Sequence, residues 1–214
     1  MTEQGAAHGA TDAEAAEAVA EFVAVVRRLR AECPWKAAQT HRSLARYLLE
    51  ETYETLEALD TGDTALLREE LGDLLLQVVL NAAIAEQAGD FSLADVARDV
   101  TAKMVRRNPH VFGPGAGAEV AAGLTPEQVD EAWQQVKATE KKRESVLDGI
   151  PPGLPALLHA DKVAERLERA GTPVTADAGG EDLGERLLAL VLEARAQGTD
   201  PEQALRDAVR RRVG

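Results

Sequence analysis

Val19, Phe22, Val25, Val26 and Leu29 recur at intervals of three and four residues, the spacing that lines one face of an α-helix. Cys33-Pro34-Trp35 ends that helix, because proline disfavours helical geometry at the residue before it. A second helix is predicted over 43–59, with Leu44, Leu48, Leu56 and Leu59 on one face and Thr61-Gly62-Asp63 as its stop. A third is predicted over 64–88, closed by Gly89-Asp90. Its residues Leu71, Leu74, Leu75, Leu76, Val78, Val79 and Leu80 cover most of the circumference, the pattern of a helix buried all round. Ser92, with Asp95 three residues on, caps a fourth helix that runs to Arg107 and stops at Asn108-Pro109. Thr125-Pro126 opens a helix through Trp133 to about residue 142. After the Gly/Pro-rich stretch 149–155, further helices are predicted near 156–170, near 181–196 and from Asp200-Pro201 onward.

No alternating, strand-like pattern competes with these segments, so the fold class is all-α. Composition agrees. Hydrophobic residues make up 45% of the 214 but aromatics only 3%, so the core rests on Leu, Val and Ala. The net charge of −13 repels nucleic-acid phosphate and argues against DNA or RNA as a partner. The single cysteine, Cys33, has no partner for an intrachain disulfide, which fits a reducing cytoplasm. No apolar run approaches the ~20 residues of a membrane span, and the Ala/Glu-rich start does not read as a signal peptide.

The chemistry is concentrated in acids. Glu50, Glu51 and Glu54 share one face of the second helix at a spacing where like charges repel. On the third, otherwise apolar helix, Glu70, Asp73, Gln77 and Asn81 form one narrow polar stripe. Buried carboxylates need a compensating charge. If the two acidic helices face each other, a cation supplies it, and an oxygen-only donor set favours Mg²⁺, with Mn²⁺ as a substitute. A solvated or salt-bridged face is the competing explanation. Lys103, Arg106 and Arg107 point cations from the end of the fourth helix, where the helix dipole also favours them. Trp35 and Trp133 suit either base stacking or the core.

Glu50-Glu51-Thr52-Tyr53-Glu54 followed by Glu70-Leu71-Gly72-Asp73 resembles the acidic signature of the MazG family. So do Cys33-Pro34-Trp35, Gln39-Thr40-His41, Pro109-His110-Val111-Phe112-Gly113 and Trp133-Gln134-Gln135-Val136-Lys137. The resemblance implies a helical bundle with a four-helix core, usually dimeric. It also implies hydrolysis of nucleoside triphosphates between the α and β phosphorus atoms; nucleotide-pool house-cleaning is a candidate role that the sequence leaves open. By the same resemblance Glu51, Glu54, Glu70 and Asp73 are metal ligands, and Glu50 is a ligand or the base that activates water. Lys103 and Arg107, with Arg106 beside them, match phosphate contacts; Trp133, Asn81 and Trp35 are assigned to the nucleotide. The chain departs from the family at Lys36, where Asp is usual, and at Asn108, where His is usual; both bear on base preference.

The expected organisation is a disordered tail over 1–12, a catalytic domain over 13–148, a linker over 149–155 and a degenerate, truncated second repeat over 156–214. The repeat is suggested by Glu181-Asp182-Leu183-Gly184-Glu185, which echoes Glu69-Glu70-Leu71-Gly72-Asp73, and by Glu165 and Glu168, which echo Glu51 and Glu54. Ala164 stands where the first acid of the motif would be. The expected partners are nucleoside triphosphates and a second copy of the chain, with neither nucleic acid nor membrane. A non-catalytic helical interaction module is the rival from another class.

Overall fold

Thr40 caps a helix through its hydroxyl, which accepts from the backbone N–H of Ser43 while the Ser43 hydroxyl accepts from the Thr40 N–H. That helix, here α3 (His41–Thr61), is followed after only Gly62 and Asp63 by α4 (Thr64–Ala88). Gly62 takes the left-handed conformation (φ 70°) that ends α3, and the Asp63 carboxylate accepts from the N–H groups of Ala65 and Leu66 to start α4. A connection this short forces two helices antiparallel. The computed structural model describes residues 4–117, 123–140 and 144–213, with side chains from Thr11 onward except Ala138. Every regular element among them is a helix.

The other elements are α1 (Gln4–Glu32), α2 (Pro34–Ala37), α5 (Leu93–Arg107), α6 (Pro109–Phe112), α7 (Pro126–Glu140), α8 (Ala156–Arg169), α9 (Leu183–Ala196) and α10 (Pro201–Val213). The caps read from the sequence at Ser92 and Thr125 are present as reciprocal side-chain and backbone bonds. Two boundaries differ from expectation. Helix α1 begins at Gln4 and so takes in most of the stretch assigned to a disordered tail; its alanines favour helix. The chain divides into compact units within α7, between Gln134 and Gln135, rather than at 149–155. The carbonyls of Val146 and Asp148 accept from Arg166 on α8, so the segment just before 149 is already tied into the second unit.

In the first unit α4 is central, packed against α3 most extensively and also against α1 and α5. Val26, Leu44, Val79 and Leu80 are fully buried, and Phe22, Val23, Tyr47, Leu76, Ile84 and Leu93 pack around them. The faces differ from the predicted ones. On α3 the buried residues are Leu44, Thr55 and Ala58, whereas Leu48 and Leu59 are exposed. On α4 the expected all-round burial fails, because Leu71, Leu75 and Val78 form an open face that α1, α3 and α5 leave uncovered.

The second unit holds α8, α9 and α10 around Ala164, Val191 and Pro201. Arg195 on α9 donates to Asp161 (3.2 Å) and to Glu168 (2.9 Å) on α8. Glu165 is engaged by Lys162 and Arg169. Glu165 and Glu168, which echo Glu51 and Glu54, thus face lysine or arginine, whereas Asp182 and Glu185 accept from backbone N–H groups. Among the described residues no helix is long and apolar enough to cross a membrane.

Candidate active site

Because α3 and α4 run antiparallel from a two-residue turn, residues equally far from that turn lie level with one another. Glu51 therefore meets Asp73, and Glu54 meets Glu70. One carboxylate oxygen from each of Glu51, Glu70 and Asp73 lies within 4.8 Å of the other two. Glu70 is buried (8% exposed), and Glu51 and Asp73 are half-buried. Burial raises the pKa of Glu51 above its ordinary value, and Asp73, a hydrogen bond with Glu54, and the charges of Glu54 and Glu70 raise it further. Burial raises Glu70 as well, followed by Glu54, Asp73 and Glu69. Every neighbour acting on these two groups is itself an acid.

Such a cluster fits a divalent cation. Its donors are all carboxylate oxygens, hard ligands that suit Mg²⁺ or Mn²⁺ rather than zinc. A cation would also offset both the burial and, after it, the mutual repulsion that hold the two pKa values up. One turn beyond Asp73, the Gln77 side chain is 5% exposed, and its Oε1 has no hydrogen-bond partner among the described residues. That unpaired buried amide oxygen is a further hard donor on the same helical stripe as Glu70 and Asp73.

A domain described as "MazG nucleotide pyrophosphohydrolase domain" matches residues 39–112, which span the whole acidic hairpin. "Nucleoside triphosphate pyrophosphohydrolase/pyrophosphatase MazG" of Thermotoga maritima is 35% identical over 90% of this chain and 82% of its own length. The chain belongs to the MazG family. An uncharacterised 26.1 kDa protein of Streptomyces cacaoi is 46% identical over 88% of this chain and 76% of its own length. "Nucleoside triphosphate pyrophosphohydrolase" of Mycobacterium tuberculosis is 45% identical, but the match covers 77% of this chain and only 49% of that protein.

The MazG signature acids are not all brought together. Glu54 is exposed and joins the cluster through Glu51, while Glu50 is exposed and lies outside the group of three. Lys103 and Arg106 are exposed on α5. Arg107, at the end of that helix, places its guanidinium 4.7 Å from the ring centroid of Trp133 on α7, a cation–π contact joining two residues singled out separately in the sequence. Trp35 is 48% exposed, edge-on to Tyr47 at 5.9 Å, with Lys36 Nζ 4.9 Å from its ring centroid. Asn81 donates to the Gln77 carbonyl (2.8 Å), so its Oδ1 is free to accept from His41 Nδ1 at 2.8 Å.

Sequence reasoning missed His41, which it noted only as part of a motif. The short turn carried the signal: an antiparallel hairpin puts the first residue of α3 beside the last polar residue of the α4 stripe. It also missed the clamp on Trp35. Arg30 Nη1 donates to the carbonyls of Lys36 and Gln39, and Gln39 Nε2 donates to the Trp35 carbonyl at 3.0 Å. These bonds fix the Cys-Pro-Trp turn against the end of α1.

Proposed function

We propose that this chain hydrolyses nucleoside and deoxynucleoside triphosphates to the monophosphate and pyrophosphate with Mg²⁺, in a nucleotide-pool house-cleaning role. The observation that carries the reading is the convergence of Glu51, Glu70 and Asp73 within 4.8 Å, with no base among the neighbours acting on Glu51 or Glu70. Family membership and the names of the Thermotoga and Mycobacterium relatives support the reaction class.

In this reading Glu51, Glu70 and Asp73 hold the ion, with Glu54 completing the acidic shell. When bound, Mg²⁺ supplies positive charge to the triphosphate oxygens and offsets the charge that grows there as the anhydride breaks. Glu50 is the proposed acceptor of the attacking water's proton; it lies one residue from a ligand and is open to solvent. Lys103, Arg106 and Arg107 approach the phosphates, Arg107 being held in orientation by Trp133. Trp35 and Asn81 contact the nucleoside, Trp35 through its exposed ring.

A homodimer is part of the proposal. Leu71, Leu75 and Val78 on α4 lie on the same hairpin as the acids and are 52%, 39% and 46% exposed, as in a bundle helix awaiting a partner.

The test is product analysis after incubating the purified protein with each NTP and dNTP, with and without Mg²⁺. Metal-dependent monophosphate plus pyrophosphate is expected. Diphosphate plus orthophosphate, or no turnover of any nucleotide, would overturn the reading.

A further inference from the structure

Gln39-Thr40-His41 stands at the join of α2 and α3, and each of its side chains fastens a different element. Gln39 donates to the Trp35 carbonyl (3.0 Å), and its Oε1 accepts from Ser43 Oγ (2.7 Å), which ties the turn carrying Trp35 to the first turn of α3. Thr40 caps α3. His41, the first residue of that helix, reaches across to α4, where its Nδ1 lies 2.8 Å from Asn81 Oδ1. The roles in this bond are fixed. Asn81 Nδ2 donates to the Gln77 carbonyl (2.8 Å), and a flipped amide would set two oxygens face to face there. The atom that meets His41 is therefore the amide oxygen, and the hydrogen of the pair sits on Nδ1. Held from both sides, the amide cannot turn. One N–H and one oxygen lone pair are left over, engaged by none of the described residues. Asn81 is half-buried on the stripe that carries the acids, about 12 Å beyond Asp73 along the helix axis at 1.5 Å per residue. That is the nucleoside's side of a triphosphate whose phosphates lie at the acids.

We propose that His41 is a positioning residue for nucleoside binding: its Nδ1–H holds the Asn81 amide in the plane from which the spare N–H and lone pair meet the nucleoside. The inference rests on the reading in which Asn81 contacts the nucleoside, and extends it to a residue that acts through Asn81 alone. Without the imidazole the amide keeps only its bond to the Gln77 carbonyl and turns about its last torsion. The loss then falls on binding rather than on the bond-breaking step, which takes place at the acids about 12 Å away.

Steady-state kinetics of the full chain test it, with Mg²⁺ and the nucleoside triphosphate that the wild type turns over fastest. His41→Leu should raise KM about tenfold and leave kcat within about twofold. It should weaken binding of the uncleavable α,β-methylene analogue by the same factor of about ten, read as Kd by equilibrium dialysis. His41→Asn places an amide nitrogen where Nδ1 stood and should restore KM and Kd to within about threefold of wild type. His41→Gln is polar but carries its amide one bond further out, and should behave like His41→Leu. Asn81→Ala should raise KM at least as far, and adding His41→Leu to it should change nothing more. A further loss in that double variant overturns the proposal, as does equal impairment of His41→Asn and His41→Leu, or a fall in kcat at unchanged KM. An active wild type with unchanged KM and Kd in His41→Leu overturns this inference alone. A wild-type chain that turns over no nucleotide overturns the functional reading and this inference with it.

Discussion

Glu70 places a carboxyl in the interior with other acids for neighbours, a cost that a bound cation would offset. Its raised pKa and that of Glu51 have a sign that can be measured. A group that holds its proton more tightly folded than unfolded contributes stability below its ordinary pKa of 4.5, and that contribution is lost as pH rises through the raised value. Asp95 and Glu127 act in the opposite sense. Their lowered values, set first by hydrogen bonds from Ser92 and Thr125, add stability that is lost as pH falls through them. The informative quantity is therefore a difference. Metal must displace protons from Glu51 and Glu70, so the gain in Tm on adding Mg²⁺ should be larger near about pH 8 than near about pH 5. Glu70→Gln should raise the metal-free Tm at the higher pH and abolish the Mg²⁺-dependent gain. It should also lower turnover by at least about a hundredfold, the upper end of the loss when a residue that merely orients a metal ligand is removed. Unchanged turnover would move the site away from this cluster.

The α3–α4 hairpin sets those side chains level, and its turn is where local sequence does most. Asp63 accepts from two backbone N–H groups at the start of α4, so Asp63→Ala should cost about 0.5–2 kcal/mol, read as a lower urea midpoint at unchanged slope. Gly62→Ala should add about 1 kcal/mol of destabilisation for the left-handed backbone it must keep. Punctuation of this kind was readable in advance. The limits of α4, the caps at Ser92 and Thr125 and the Asn108-Pro109 stop follow from short-range chemistry that needs no tertiary context; the sequence marks Asp63 only as part of the stop of α3, not as the cap of α4. The faces were not. Leu48 and Leu59 share a helical stripe with Leu44, yet only Leu44 is buried, because α4 approaches α3 on the side of Glu51, Thr55 and Ala58. Periodicity marks a stripe but does not say where the partner helix stands, and α4 is apolar round so much of its surface that its own pattern could not decide. The acids were legible as a pattern; that Glu50 lies outside the cluster while His41 reaches Asn81 depends on helix phase.

Beyond the hairpin, the open face of α4 decides whether one chain is the working unit. Leu71, Leu75 and Val78 sit on the helix that presents Glu70 and Asp73, so a partner covering them would pack against the helix that carries two of the acids. If a second copy covers them, Leu75→Glu buries a charge without a partner at the centre of the contact. A penalty of about 3 kcal/mol corresponds to a loss of about a hundredfold in dimer affinity. The variant should sediment as a monomer at concentrations where the wild-type chain is dimeric. Its helical circular dichroism should be unchanged, because Leu75 is already 39% exposed in the single chain and packs little against its own unit. Turnover per chain should fall with the dimer and recover as protein concentration is raised, a dependence that a merely damaged fold would not show. A wild-type chain that sediments as a monomer at full activity would instead show that one hairpin suffices, and the α4 face would then have no part in catalysis.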